Sequence, residues 1–413
     1  MPQLVDLFLR FKDQATVYND GTVEAIFSAY SIPIKLKYEC PAPSKFGKDL
    51  PLWKTATTSF LRIVKECGTQ IQQLGDQILE SRVESIWRQI VDTFRGGILA
   101  DCSAAEAFPL DIQEMEESFD LALVASLEID VVPHLGDSRV PDYIIAQLAR
   151  VLQQGSRIRE TDDYRPPSPI SPGNKLPEPS FEFDKIGALG EYGSNEVGRF
   201  QPRERFSYWC FDLLVLICSD TTKDQVTSRR RVATVALPSL LNRCKSTLVS
   251  FVADESLRGN LPFSRAREEE LLYVLRKMLG LRLWPGTLWA ALSDSPSEYS
   301  SEQPSIDTTL KASELIADAV KRSTKAHLFH FYPVLCEIVA IPRKTPTAWS
   351  AAGALQRPNG PSKSMSVSEV KGAVSWSSVT SGGQDEGKAV ELDARSLVKE
   401  CLKEIGQEMG VGR

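Results

Sequence analysis

Histidine is scarce: three among 413 residues. His134 stands alone. His327 and His330 lie three apart on an apolar helical pattern, but a zinc site wants three or four ligands and no nearby Cys or His cluster completes one. The expectation is a packed or hydrogen-bonded helix without metal. The eight cysteines form no C-x-x-C pair, and most sit on apolar helical stripes, where a free thiol acts as a small hydrophobe. A reducing, intracellular setting follows. Gly-rich phosphate cradles are missing. There is no G-x-x-x-x-G-K-[ST] or G-x-G-x-x-G, and Gly187, Gly190 and Gly193 have neither a strand before them nor a helix after. No G-x-S-x-G elbow occurs. These gaps argue against an enzyme and against a bound cofactor. A basic surplus is also lacking. The net charge of −6 disfavours nucleic-acid binding and leaves any membrane association indirect or peripheral. The most apolar run, 213–218, is far short of the ~20 residues of a membrane span. The first residues lack the small-residue cleavage site of a secretory leader.

What is present is helical periodicity. Val5, Phe8 and Leu9 mark a short first helix. Residues 23–30 mark a second, followed by an extended piece at 32–38 that Pro41 and Pro43 close. Phe60, Leu61, Val64, Cys67, Ile71 and Leu74 repeat at three to four residues, the amphipathic signature, and Gly75 stops them. Another run from Ile78 to Phe94 closes at Gly96-Gly97. A third spans 110–132, and a fourth spans 140–152 with Pro141 in its first turn. Helices resume at 203, with Pro238 expected to kink or break the one over 232–251. Further ones cover 268–279, 288–292 and two segments of 310–339, and a last one covers 391–409. Almost no β signal exists.

Residues 155–202, rich in Pro and Gly, and 343–390, rich in Ser and Gly, read as disordered insertions. The organisation is therefore a first helical block at 1–154, a linker at 155–202, a second block at 203–342, a low-complexity segment at 343–390 and a C-terminal helix at 391–413. The fold class is all-α, a HEAT/armadillo-like α-solenoid of paired amphipathic helices.

Charged runs have bland readings. Glu114, Glu116 and Glu117, and Glu268 to Glu270, are expected on solvated helix faces. Arg229 to Arg231 opens a helix as a salt-bridged or solvated start. The segment 281–292, LRLWPGTLWAAL, stands apart. Trp284 and Trp289 flank Pro285-Gly286, which reads either as a corner packing two helices or as an aromatic anchor for a partner. Arg276, Lys277 and Arg282 are close in sequence, and Trp and Arg are favoured at interface hot spots. Trp289, Arg282, Arg276 and Lys277 are thus the candidate partner-binding residues.

Several strings add a resemblance: 22–38 (TVEAIFSAYSIPIKLKY), 51–67 (PLWKTATTSFLRIVKEC), 203–219 (RERFSYWCFDLLVLICS), 281–296 (LRLWPGTLWAALSDSP) and 322–337 (RSTKAHLFHFYPVLCE). They resemble the C-terminal region of the Mon-two family, large relatives of the Sec-seven-type Arf exchange factors that lack the exchange domain. The resemblance implies a scaffold in Golgi–endosome vesicle-mediated protein transport, peripheral on the cytoplasmic membrane face. It implies as partners a Dopey-family protein, an Arf-like GTPase and an aminophospholipid flippase. The family's N-terminal regions have no counterpart here, so a C-terminal piece or a shortened version is expected. The alternative function is regulation of an Arf-like GTPase with exchange-type activity.

Overall fold

The computed structural model describes residues 2–37, 51–100, 110–157, 204–220, 226–257, 265–293, 318, 320–341 and 394–410. Both expected disordered insertions lie outside these, apart from 155–157, which end a helix. The described residues are helical throughout, with no strand. In chain order the helices are α1 (Pro2–Phe11), α2 (Ala15–Asn19), α3 (Thr22–Lys35), α4 (Leu52–Leu74), α5 (Glu80–Ile98), α6 (Leu110–Ser126), α7 (Asp142–Gly155), α8 (Glu204–Cys218), α9 (Val226–Leu257), α10 (Arg265–Gly280), α11 (Thr287–Ser293), α12 (Ala326–Ala340) and α13 (Ala394–Glu408).

The helices pack on others near them in sequence, as a solenoid requires. α3 lies against α4 and α5, α5 against α7, and α7 against α8 and α9. α9 then meets α10, α11 and α12, and α13 closes on α10 and α12. The stripe on α4 shows why. Phe60, Ile63, Val64, Cys67 and Ile71 are all buried, and Phe60 meets Phe27 of α3 edge-on at 5.6 Å and Phe94 of α5 at 4.9 Å. Such aromatic pairs add ~0.5–1.5 kcal/mol each beyond the area they bury.

Four local expectations are overturned. The piece 32–38 is not extended as far as 35: α3 continues through Pro33, which is buried in its last turn. A proline removes only one bond there, and Ser31 Oγ turns back to the Ser28 carbonyl at 2.8 Å. Gly96-Gly97 does not end α5. The helix runs on to Ile98 because Gly97 lets neighbouring helices come close: a Cβ there would sit 2.8 Å from Leu123 Cδ1 and 3.1 Å from Ile34 Cγ2. Of the kink or break expected at Pro238, the break does not occur: α9 is a helix of 32 residues. The pattern over 110–132 is α-helix only to Ser126, then widens into a π turn at Leu127–Val131 and tightens into a 3-10 turn at Val132–His134.

The acidic faces are a larger correction. Glu116, Glu117 and Asp120 of α6 are buried, not solvated. Glu116 pairs with Lys54 of α4 at 3.3 Å, Glu117 with Arg205 of α8 at 3.3 Å, and Asp120 with Lys37, just after α3, at 2.7 Å. The Lys37 ammonium also lies 4.3 Å from the Trp53 ring centre. Glu270 is likewise buried and accepts from Arg243 of α9 at 2.5 Å. Arg243 donates further to the Ser156 carbonyl, at 2.8 Å, and to Ser156 Oγ, at 2.9 Å, where α7 ends. One guanidinium thereby joins α7, α9 and α10. Its place was legible in part, because Arg243 is three residues from Leu240 and seven from Ala236, on the buried stripe of α9.

Candidate functional site

The corner between α10 and α11 is fixed from several directions. The Arg282 carbonyl accepts from the Asp220 amide at 2.7 Å, and the Leu283 amide donates to the Thr324 carbonyl at 2.8 Å. Arg230 of α9 donates to the Pro285 carbonyl at 2.7 Å. Gly286 takes φ +82°, the left-handed region where a side chain is strained, and the chain turns there into α11.

The turn sorts the two tryptophans. Trp284 faces inward and is 8% exposed, whereas Trp289, on α11, is 55% exposed. Leu292, three residues on, is exposed beside it on the helix. The Lys321 ammonium stands 4.6 Å from the Trp289 ring centre, a cation–π contact.

The other candidates separate. Lys277 turns to α8, where it pairs with Asp212 at 2.8 Å and lies 5.2 Å from the Tyr273 ring. Tyr273 donates to the same carboxylate at 2.5 Å, and burial, with that carboxylate, pushes its phenol far above the ordinary range. Arg276 is half-buried on α10. Arg282 is exposed and next to the segment 322–325 through the Leu283–Thr324 bond. So Trp289 and Arg282 remain outward, and Lys277 is engaged in holding α10 to α8. Sequence reading passed over Lys321 and Arg322, both exposed. Their adjacency was visible, but the approach of Lys321 to Trp289 depends on how the chain before α12 packs.

The Arg229 to Arg231 run is structural. Arg231 pairs with Asp142 at 2.8 Å and donates to the Asp137 and Val140 carbonyls. The histidines are also engaged in packing. His327 is buried with Nε2 2.7 Å from the Met278 carbonyl, and burial pushes it down to about 4. His134 packs on Trp87 with ring centres 6.2 Å apart. Among the described residues no group of His, Cys, Asp and Glu could hold a metal ion, and no helix is long and apolar enough to cross a membrane.

Comparison with known proteins gives a consistent result. The family model described as the C-terminal region of Mon2 protein matches residues 2–165. The Protein MON2 homologs of Xenopus laevis and Homo sapiens are 21% and 22% identical over 273 residues, 66% of this chain. The homolog of Schizosaccharomyces pombe is 24% identical over 287 residues, 68% of the chain. These alignments cover 13%, 14% and 16% of the relatives' own length, so the chain corresponds to a small fraction of each. No solved structure matches. By family model over its first helices, and by relatives over two thirds of its length, the chain is similar to the C-terminal region of Mon2 proteins.

Proposed function

We propose that the chain is a non-catalytic helical scaffold in Golgi–endosome vesicle-mediated protein transport, acting through protein partners from the cytoplasmic membrane face. The observation that carries this reading is the match of residues 2–165 to the C-terminal region of Mon2 protein. Polar chemistry in the helical array supports it. Lys37, Lys54, Arg205 and Arg243 meet carboxylates across helix–helix seams, and His134 and His327 are engaged in packing. These groups tie helices together. Stacked helices present extended surfaces, the usual means by which such arrays bind proteins. The partners are a Dopey-family protein, an Arf-like GTPase and an aminophospholipid flippase.

Two measurements test this. Affinity purification of the tagged chain from cells, with crosslinking, is expected to recover the Dopey-family protein or the Arf-like GTPase. Recovery of neither sinks the scaffold reading. Nucleotide release from the Arf-like GTPase is expected to be unchanged by the chain. Acceleration would put an exchange-type regulator in its place.

A further inference from the structure

The surface around Trp289 combines exposed apolar area with cations that form no ion pair among the described residues. Arg282, Lys321 and Arg322 are all exposed. Among the described residues none of the three forms an ion pair, although the chain as a whole carries six more acids than bases. They are gathered from two segments: the Leu283–Thr324 backbone bond sets Arg282 beside 322–325, and Lys321 lies over the indole of α11. Among the described residues, three acids contact or adjoin the segment 321–325. Asp318 is exposed on the turn before Lys321, but only its backbone carbonyl is engaged, by Arg322 Nε at 3.3 Å. Glu408 of α13 is taken by Ser323 Oγ at 2.6 Å. Glu404 faces Lys325, whose ammonium donates to the Leu279 carbonyl.

We propose that Trp289 and Leu292, bordered by Arg282, Lys321 and Arg322, form a docking surface for an acidic peptide segment of a protein partner, one carrying an apolar side chain beside its carboxylates. This rests on the scaffold reading and names the partner's chemistry. The indole supplies apolar area at low entropy cost, and its ring already carries an ammonium whose remaining N–H groups can donate to a carboxylate. Two guanidinium groups offer the forked geometry that carboxylates accept from both oxygens. Backbone bonds on both sides of the corner hold it in place before binding, which lowers the ordering cost of association. Charge complementarity selects an anionic partner. Among the described residues Trp289 and Leu292 are the large apolar side chains exposed on α11, a small area for insertion into a bilayer, which favours a peptide over a lipid surface.

The test uses the full chain and two fluorescein-labelled peptides, one of Glu, Leu and Phe, the other with Gln for each Glu. Anisotropy is expected to show salt-sensitive binding of the Glu peptide and at least about tenfold weaker binding of the Gln peptide. Trp289→Ala, and separately Lys321→Gln with Arg322→Gln, are each expected to weaken the Glu peptide by about tenfold or more while the melting temperature stays within about 2 °C, since all three side chains are exposed. Equal binding of the two peptides, no binding of either, or insensitivity to these variants overturns the proposal. So does co-sedimentation with phosphatidylserine vesicles that is lost in the same variants when the peptide does not bind, which would assign the surface to lipid. If Trp289→Ala still recovers the Dopey-family protein or the GTPase from cells at the native level, the docking inference falls and the scaffold reading stands.

Discussion

His327 shows what burial does to one titrating side chain. Its ring has a single acceptor, the Met278 carbonyl, on Nε2, and Nδ1 has no hydrogen-bond partner. The neutral tautomer with its proton on Nε2 therefore fits, and a second proton would be placed in an apolar setting. Burial accordingly lowers the group to about 4 from about 6.5 when unfolded. A group depressed on folding contributes fully above its unfolded value and loses that contribution as pH falls toward the folded one. Stability should therefore decline between pH 6.5 and 4, by about 3 kcal/mol from this residue alone. Urea midpoints across that window check it, and His327→Gln should flatten the slope. Gly68 is a second residue whose identity is set by a neighbour. A Cβ there would lie 2.5 Å from His134 Cδ2, and that ring is held against Trp87. Gly68→Ala should cost about 1–3 kcal/mol through overpacking, seen as a lower melting temperature. His134→Ala in the same chain should return part of the loss. An unchanged melting temperature in the single variant would mean the ring can move aside.

Among the elements, α6 is attached differently from its neighbours. Its three buried carboxylates reach Lys54, Arg205 and Lys37 on three other parts of the array. A buried ion pair gains little over an apolar substitute, but removing one partner strands the other charge, at about 3–5 kcal/mol. Asp120→Ala should lower stability by that order, whereas Lys37→Met with Asp120→Leu should restore most of it. Equal losses in both chains would show that the pair, not the stranded charge, matters. This helix also marks where the sequence stopped being readable. The α4 stripe could be read because Phe60, Val64, Cys67 and Ile71 carry the helical period themselves. Glu116 and Glu117 look like a wet face until Lys54, which is 62 positions away from Glu116, and Arg205 are brought beside them. Gly97 reads as a stop until Leu123 and Ile34 are seen to need the room. At the candidate site, Trp284 and Trp289 have similar local strings, and the turn at Gly286 decides which one is buried.

The whole molecule shares one apolar cluster, running from Val5 on α1 to Ile405 on α13. Arg243 bonds the end of α7 to α9 and α10 within it. The helices before residue 158 and after residue 203 should therefore unfold together. Far-UV circular dichroism and tryptophan fluorescence are expected to give coincident urea midpoints, and two separate transitions would show independent blocks. Arg243→Leu, which leaves Glu270 buried without its guanidinium, should lower the shared midpoint by an amount equivalent to about 3–5 kcal/mol.

The closing of α13 on α10 and α12 has a consequence for assembly. Residues 342–393 separate it in sequence from the helices it covers, so α13 behaves as a ligand delivered on its own leash. Its occupancy is then set by the local concentration that this covalent connection imposes. A chain ending at residue 341 should accept a free peptide covering 394–408 in trans, and displacing α13 from the full chain should need far more peptide, at about the millimolar level that a tether supplies. Replacing Leu397 and Val398, both buried on that helix, with Asp should abolish the capture. A chain that binds no added peptide, yet keeps its fold, would mean α13 docks only while the protein is first folding.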